Sequence, residues 1–176
     1  MSLGSVYFEP LWVFVRGSGG EAPRRLTELA GKRIAVGSGT RTVTRKLMAE
    51  NGIDSRTATL LDLGASDAAA ALKQGTINVA FFVTSAISST VRDLISAPGI
   101  SLTSFECAEA YLRRHLYLSR VILPKGAIDL ARNLPQQDVV LLAPTATLVV
   151  NADLHPALIV LLRLTMQDAH RAGGFL

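Results

Sequence analysis

Gly31-Lys32-Arg33-Ile34-Ala35-Val36-Gly37-Ser38-Gly39-Thr40-Arg41 is the stretch that decides the fold. A short apolar strand, 33–37, ends in a Gly-Ser-Gly-Thr turn, and a helical pattern over 40–51 follows at once, closing at Asn51-Gly52. Such a junction gathers free backbone N–H groups, two hydroxyls and the positive end of a helix around one point. It reads as a cradle for a small anion. The spacing is that of neither a Walker loop, which needs Gly-Lys-Ser/Thr, nor a dinucleotide fingerprint, since Thr42 stands where the third glycine belongs.

On both sides the strand and helix signals alternate. Upstream, residues 6–16 (VYFEPLWVFVR) read as one aromatic and β-branched strand, with Pro10 marking an edge or a bend. A flexible Gly17-Ser18-Gly19-Gly20 connector and a short helix around 24–30 follow. Downstream come strand 57–62, helix 66–74, the nearly all-apolar strand 77–84 (INVAFFVT), helix 88–96, strand 100–104, helix 107–114 and strand 117–123. Two short strands, 138–143 and 147–150, then lead to a helix over 156–171 with an apolar stripe at Leu158, Leu162, Met166 and Ala169. Alternation of this kind predicts a three-layer αβα fold on a parallel sheet.

Composition bounds the function. With 176 residues, 49% hydrophobic and 18% charged, the chain builds a real core. The net charge of +4 is spread over scattered pairs such as Arg24-Arg25 and Arg113-Arg114, which argues against a nucleic-acid partner. A single Cys107 excludes an internal disulfide, and three distant histidines show no metal-ligand spacing. No Gly-x-Ser-x-Gly elbow and no acid–base pair stand out, so neither catalytic residues nor a cofactor are expected, and the chain does not read as an enzyme. Residues 1–5 lack the pattern of a signal peptide and read as an expression leader before a strand, so the chain reads as a fragment.

The candidate ligand residues are Gly37, Ser38, Gly39, Thr40 and Arg41, together with Thr84, Ser85 and Glu9. Open α/β sheets bind ligands where the strand order reverses. If strand 33–37 lies beside strand 77–84, in the order 2-1-3, the loop Thr84-Ser85-Ala86-Ile87-Ser88-Ser89 faces the Gly37–Thr40 turn. Arg41 could grip a carboxylate bidentately, or be merely solvated. Glu9 reads as either a polar contact or an exposed edge residue, and Trp12 as packing. The plain alternative for Thr40 and for the Thr84–Ser89 loop is helix capping.

Tyr7-Phe8-Glu9-Pro10-Leu11-Trp12-Val13-Phe14, the segment Leu29 to Thr40, Ala69-Ala70-Ala71-Leu72 with Gly75, Asn78 to Val83 and Leu148 to Leu158 resemble, in order and spacing, solute receptors of the TAXI branch of TRAP transporters. Asn78 stands where that family usually has Asp, and Asn151 where it often has Arg. The resemblance implies a type II periplasmic-binding-protein-like fold, with two α/β lobes that close on a ligand. It implies an extracytoplasmic or periplasmic subunit that binds a small organic anion, a carboxylate or amino acid, and delivers it to a TRAP-type membrane permease. On this reading 1–5 is leader, 6–23 hinge strand and linker, 24–120 the second lobe, and 121–176 a return strand with the C-terminal part of the first lobe. An effector-binding domain of a LysR-type transcription regulator is the alternative on the same fold. The exposed hinge strand also raises an expectation of self-association.

Overall fold

The structure is a computed structural model that describes residues 1–17, 22–37 and 39–169. Most of the Gly17–Gly20 connector, and Ser38 of the cradle, therefore lie outside the described residues. The strands are β1 (Ser2–Phe8), β2 (Leu11–Arg16), β3 (Arg33–Val36), β4 (Thr59–Leu61), β5 (Val79–Val83), β6 (Ile100–Leu102), β7 (Leu118–Leu123) and β8 (Val139–Val149). The helices are α1 (Arg41–Glu50), α2 (Ala65–Gln74), α3 (Ser89–Ile95), α4 (Ala108–Arg114) and α5 (Pro156–Ala169), with a 3-10 turn at Leu26–Leu29.

The sheet runs β1-β8-β2-β5-β3-β4, with β6 on β2 and β7 on β8. Its parallel part is confined to β4-β3-β5, the 2-1-3 order expected. The rest is antiparallel, which corrects the expectation of a parallel sheet: β2 lies antiparallel to β5 and to β6, and β8 to β1, β2 and β7. Hydrophobic alternation records which residues are buried and says nothing about strand direction.

Two expected strand boundaries also move. The run 6–16 is two strands that break at Glu9-Pro10, because β1 pairs with the second half of β8 while β2 enters the main sheet beside β5. The two strands expected at 138–143 and 147–150 are instead one, β8, which passes through Pro144 and changes partner there from β7 to β1. Pro144 lacks an N–H but keeps its carbonyl, which accepts the N–H of Glu9 at 3.0 Å. Residues 2–5, read as leader, form the first part of β1.

Strand alternation divides the core between the two faces of the sheet. Leu11, Val13 and Val15 of β2, Ile34 and Val36 of β3, and Val79 and Phe81 of β5 pack with Leu47 and Met48 of α1 and Ala108 of α4. Trp12 and Phe14, Ala35, and Ala80 and Phe82 point the other way, toward Ala68 and Leu72 of α2 and Val91 and Leu94 of α3. Three layers result. Helix α5 stands apart from both faces, near β1, where the Met166 Cε atom lies 3.7 Å from where a Cβ on Gly4 would be. None of its residues is buried, so the expected apolar stripe meets no core among the described residues.

Behind α1, the Tyr111 hydroxyl donates to Asn51 Oδ1 at 3.0 Å, and His115 Nε2 lies 2.8 Å from Glu50 Oε2. Both contacts join α1 to the end of α4. Burial pushes the Tyr111 phenol above its ordinary value of 10.0. A folded-state pKa above the unfolded one means that this stabilisation is complete below the unfolded value and is lost as pH rises through the folded one. The urea midpoint is therefore expected to fall once pH passes about 10. Tyr111→Phe should flatten that fall, and an unchanged slope would remove Tyr111 as its cause.

Candidate functional site

The register of β3 and β5 places their C-terminal ends side by side, with Ile34 paired to Val79 and Val36 to Phe81. From those ends the chain leaves in opposite directions: β3 leads to α1 on one face of the sheet, and β5 leads toward α3 on the other. That divergence is a topological switch point. A cleft of about 200 Å³ opens there.

Gly37, Gly39 and Thr40 form one side of the cleft, and Thr84, Ser88 and Thr90 supply hydroxyl-bearing residues from the β5–α3 side. Leu63, Ala65 and Ala68, from the β4–α2 connection, make an apolar third wall. Among the described residues the lining offers a ligand N–H and O–H groups and apolar surface, with no carboxylate, imidazole or thiol.

Each element of the cradle has a local cause. Thr40 is nearly buried and occupies the N-cap position of α1, where its carbonyl accepts the Thr44 N–H at 3.0 Å. Its hydroxyl does not cap the helix; it donates back to Gly37 O at 3.1 Å and so ties the turn to itself. Ser88 likewise stands at the N-cap of α3 without a side-chain cap bond. Capping by these hydroxyls thus does not explain the two loops. At Gly37 space is limited: a Cβ would lie 3.4 Å from Leu63 O, where the cradle meets the third wall. At Gly39 a Cβ would meet no protein atom within 4 Å.

The other expected residues have different neighbours. Arg41 is ion-paired with Asp62, just past β4, and lies beside the lined surface rather than in it. Ser85 serves its own loop, where its hydroxyl accepts the Ile87 N–H at 3.4 Å. Glu9 sits at the β1–β2 break, accepts a bond from the Tyr7 hydroxyl at 3.3 Å, and is remote in the sheet from the β3 turn. Its charge is the first cause of the raised pKa of Tyr7.

Sequence reasoning missed two features. The third wall could not be read from the chain, because Leu63, Ala65 and Ala68 look like ordinary core spacing. The second is the support of Thr84: the fully buried Trp12 indole donates to Thr84 O at 2.8 Å, and the Thr84 N–H donates to Pro10 O at 3.3 Å. A buried tryptophan needs a partner for its N–H, which was the available hint.

The three-layer αβα arrangement is that of a type II periplasmic-binding-protein-like lobe. The chain belongs to the NMT1-like family, whose pattern matches residues 2–171. Among solved structures it is similar to an ancestral arginine-binding protein bound to arginine, with a TM-score of 0.56 and 13% identity over 97% of this chain and 58% of that one. A mutant of arginine-bound ArgBP from T. maritima matches with a TM-score of 0.55 and 15% identity over 94% and 58%. An amino acid ABC transporter substrate-binding protein from Streptococcus pneumoniae, bound to L-arginine, matches with a TM-score of 0.53 and 14% identity over 98% and 56%. The chain therefore spans a little over half the length of these proteins, and at such identities the likeness is one of fold. None of the curated protein sequences matches it.

Proposed function

We propose that this chain belongs to an extracytoplasmic solute-binding subunit, and that its switch-point cleft is one wall of a site for a small organic anion. The observation that carries this reading is the meeting of the β3–α1 turn with the β5–α3 loop around a cleft of about 200 Å³. A ligand carboxylate would take N–H groups from the first turn of α1 and hydroxyls from Thr84 and Ser88, while the Thr40 hydroxyl holds the turn in shape through Gly37 O. Ser38, between Gly37 and Gly39 in sequence, is proposed for the same set, with Arg41 next in sequence to Thr40. The arginine carried by the solved relatives, as well as the resemblance to TAXI receptors, supports a carboxylate or amino acid as solute. In the finer reading, the partner that receives the solute is a TRAP-type membrane permease, and the subunit works in the periplasm.

A second lobe closing over the cleft would bury the ligand and raise affinity; opening would release it. The double substitution Ser38→Ala with Thr40→Ala is expected to weaken carboxylate binding by at least about tenfold, roughly 1.4 kcal/mol. Calorimetric or NMR titration would show it. An unchanged affinity would move the site elsewhere.

A further inference from the structure

We propose that Asp62 sets the charge selectivity of the cleft, favouring a zwitterion over a dianion of the same size. This rests on the carboxylate-site reading above. Arg41 follows Thr40 of the cradle, and Asp62 precedes Leu63 of the third wall, so their ion pair bridges two of the loops that form the cleft. The side chains are 42% and 54% exposed, so neither charge is sealed in the core, and each adjoins in sequence a residue that lines the cleft.

The consequence is electrostatic. Arg41 is the cation nearest the cradle in sequence, and Asp62 cancels its net charge. The lined surface itself holds no charged side chain. What remains for an anion is the positive end of α1, worth roughly half an elementary charge. That suits one carboxylate. A second carboxylate would face Asp62, whereas an ammonium group on the ligand would be attracted to it. A carboxylate has two oxygens and several lone pairs, so Asp62 can keep Arg41 and still accept an ammonium N–H.

4-Aminobutyrate, a zwitterion, and succinate, a dianion, are linear four-carbon acids in which an ammonium group stands in place of the second carboxylate charge, so the ratio of their affinities reads the selectivity directly. NMR titration of the 176-residue chain, following the Gly39 and Thr40 amides, gives both constants on one sample. The wild-type chain is expected to prefer 4-aminobutyrate. Asp62→Asn should shrink that preference about five- to tenfold, the scale of one charge at the rim of a partly solvated site. Arg41→Gln should enlarge it, because Asp62 is then uncompensated.

If Asp62 merely straps the two loops together, both variants break the same strap and shift the ratio alike. That result, an unchanged ratio in Asp62→Asn, or a wild-type preference for succinate would overturn the assignment while leaving the cleft in place. Absence of any shift at Gly39 and Thr40 with either ligand would instead overturn the cleft reading, and this assignment with it. Asp93→Asn, which removes an exposed partner of Lys73 on the α2–α3 side, should leave the ratio unchanged.

Discussion

Replacing Trp12 with alanine is expected to destabilise the protein by about 4 kcal/mol, the largest effect of any single substitution considered. Trp12 is fully buried in the centre of β2. Its ring stacks on Phe14 at 6.4 Å, and Phe14 meets Phe82 edge-on at 6.0 Å. Truncation would remove that packing and leave a cavity that a sheet centre cannot collapse to fill. It would also free Thr84 O from the indole N–H. Native domains hold roughly 5–15 kcal/mol in total, so the loss would reach a large fraction of the stability. Urea denaturation measures it directly. Trp12→Phe separates the two contributions: it retains most of the ring volume but not the donor, and should cost about 1–2 kcal/mol. A loss below about 1 kcal/mol for Trp12→Ala would contradict the packing described here.

Gly39→Leu is expected to weaken carboxylate binding by at least about tenfold while changing stability by no more than about 1 kcal/mol. A Cβ at Gly39 would meet no protein atom within 4 Å, so the backbone there has open space beside it. The room lies in a cleft of about 200 Å³, and the added group would occupy it in place of a ligand. Gly37→Ala should behave differently. Its methyl group would sit against Leu63 O at 3.4 Å, the tight end of contact, with Thr40 Oγ1 at 3.6 Å, and so cost no more than about 1 kcal/mol of stability while staying out of the ligand's space. Binding titration and urea denaturation on both variants would separate the roles. If Gly39→Leu bound as tightly as the parent chain, the cleft would not be where the ligand sits.

The strand-turn-helix of residues 33–50 was legible because all of its signals are local: an apolar strand, a glycine turn and a helical pattern in immediate succession. The β4-β3-β5 order was legible once the alternation of strands and helices was seen, since right-handed crossovers leave few arrangements. The β1–β2 break was not. Residues 6–16 carry one uninterrupted aromatic and β-branched signal, and only their partners, β8 for one half and β5 for the other, divide them. The expectation of two strands, 138–143 and 147–150, erred in the opposite sense: Pro144 lies between them inside the single strand β8, and its effect on a strand depends on which neighbour needs its missing N–H. Arg41 could be suspected of gripping an anion. Its pairing with Asp62, 21 residues away, depends on β4 lying beside β3.

By itself the sequence determined the three-layer α/β class and the strand and helix on either side of the Gly37–Thr40 turn, because glycine, hydroxyl and apolar spacing act over a few neighbouring residues. The tertiary structure alone decided what faces that cradle: Thr84 held by Trp12, Ser88 and Thr90 beside it, an apolar wall at Leu63, and Asp62 on Arg41. Those contacts join residues up to 72 positions apart. They exist only because strand pairing and burial bring the ends of β3, β4 and β5 to one edge of the sheet, and no local pattern encodes which distant loop will arrive there.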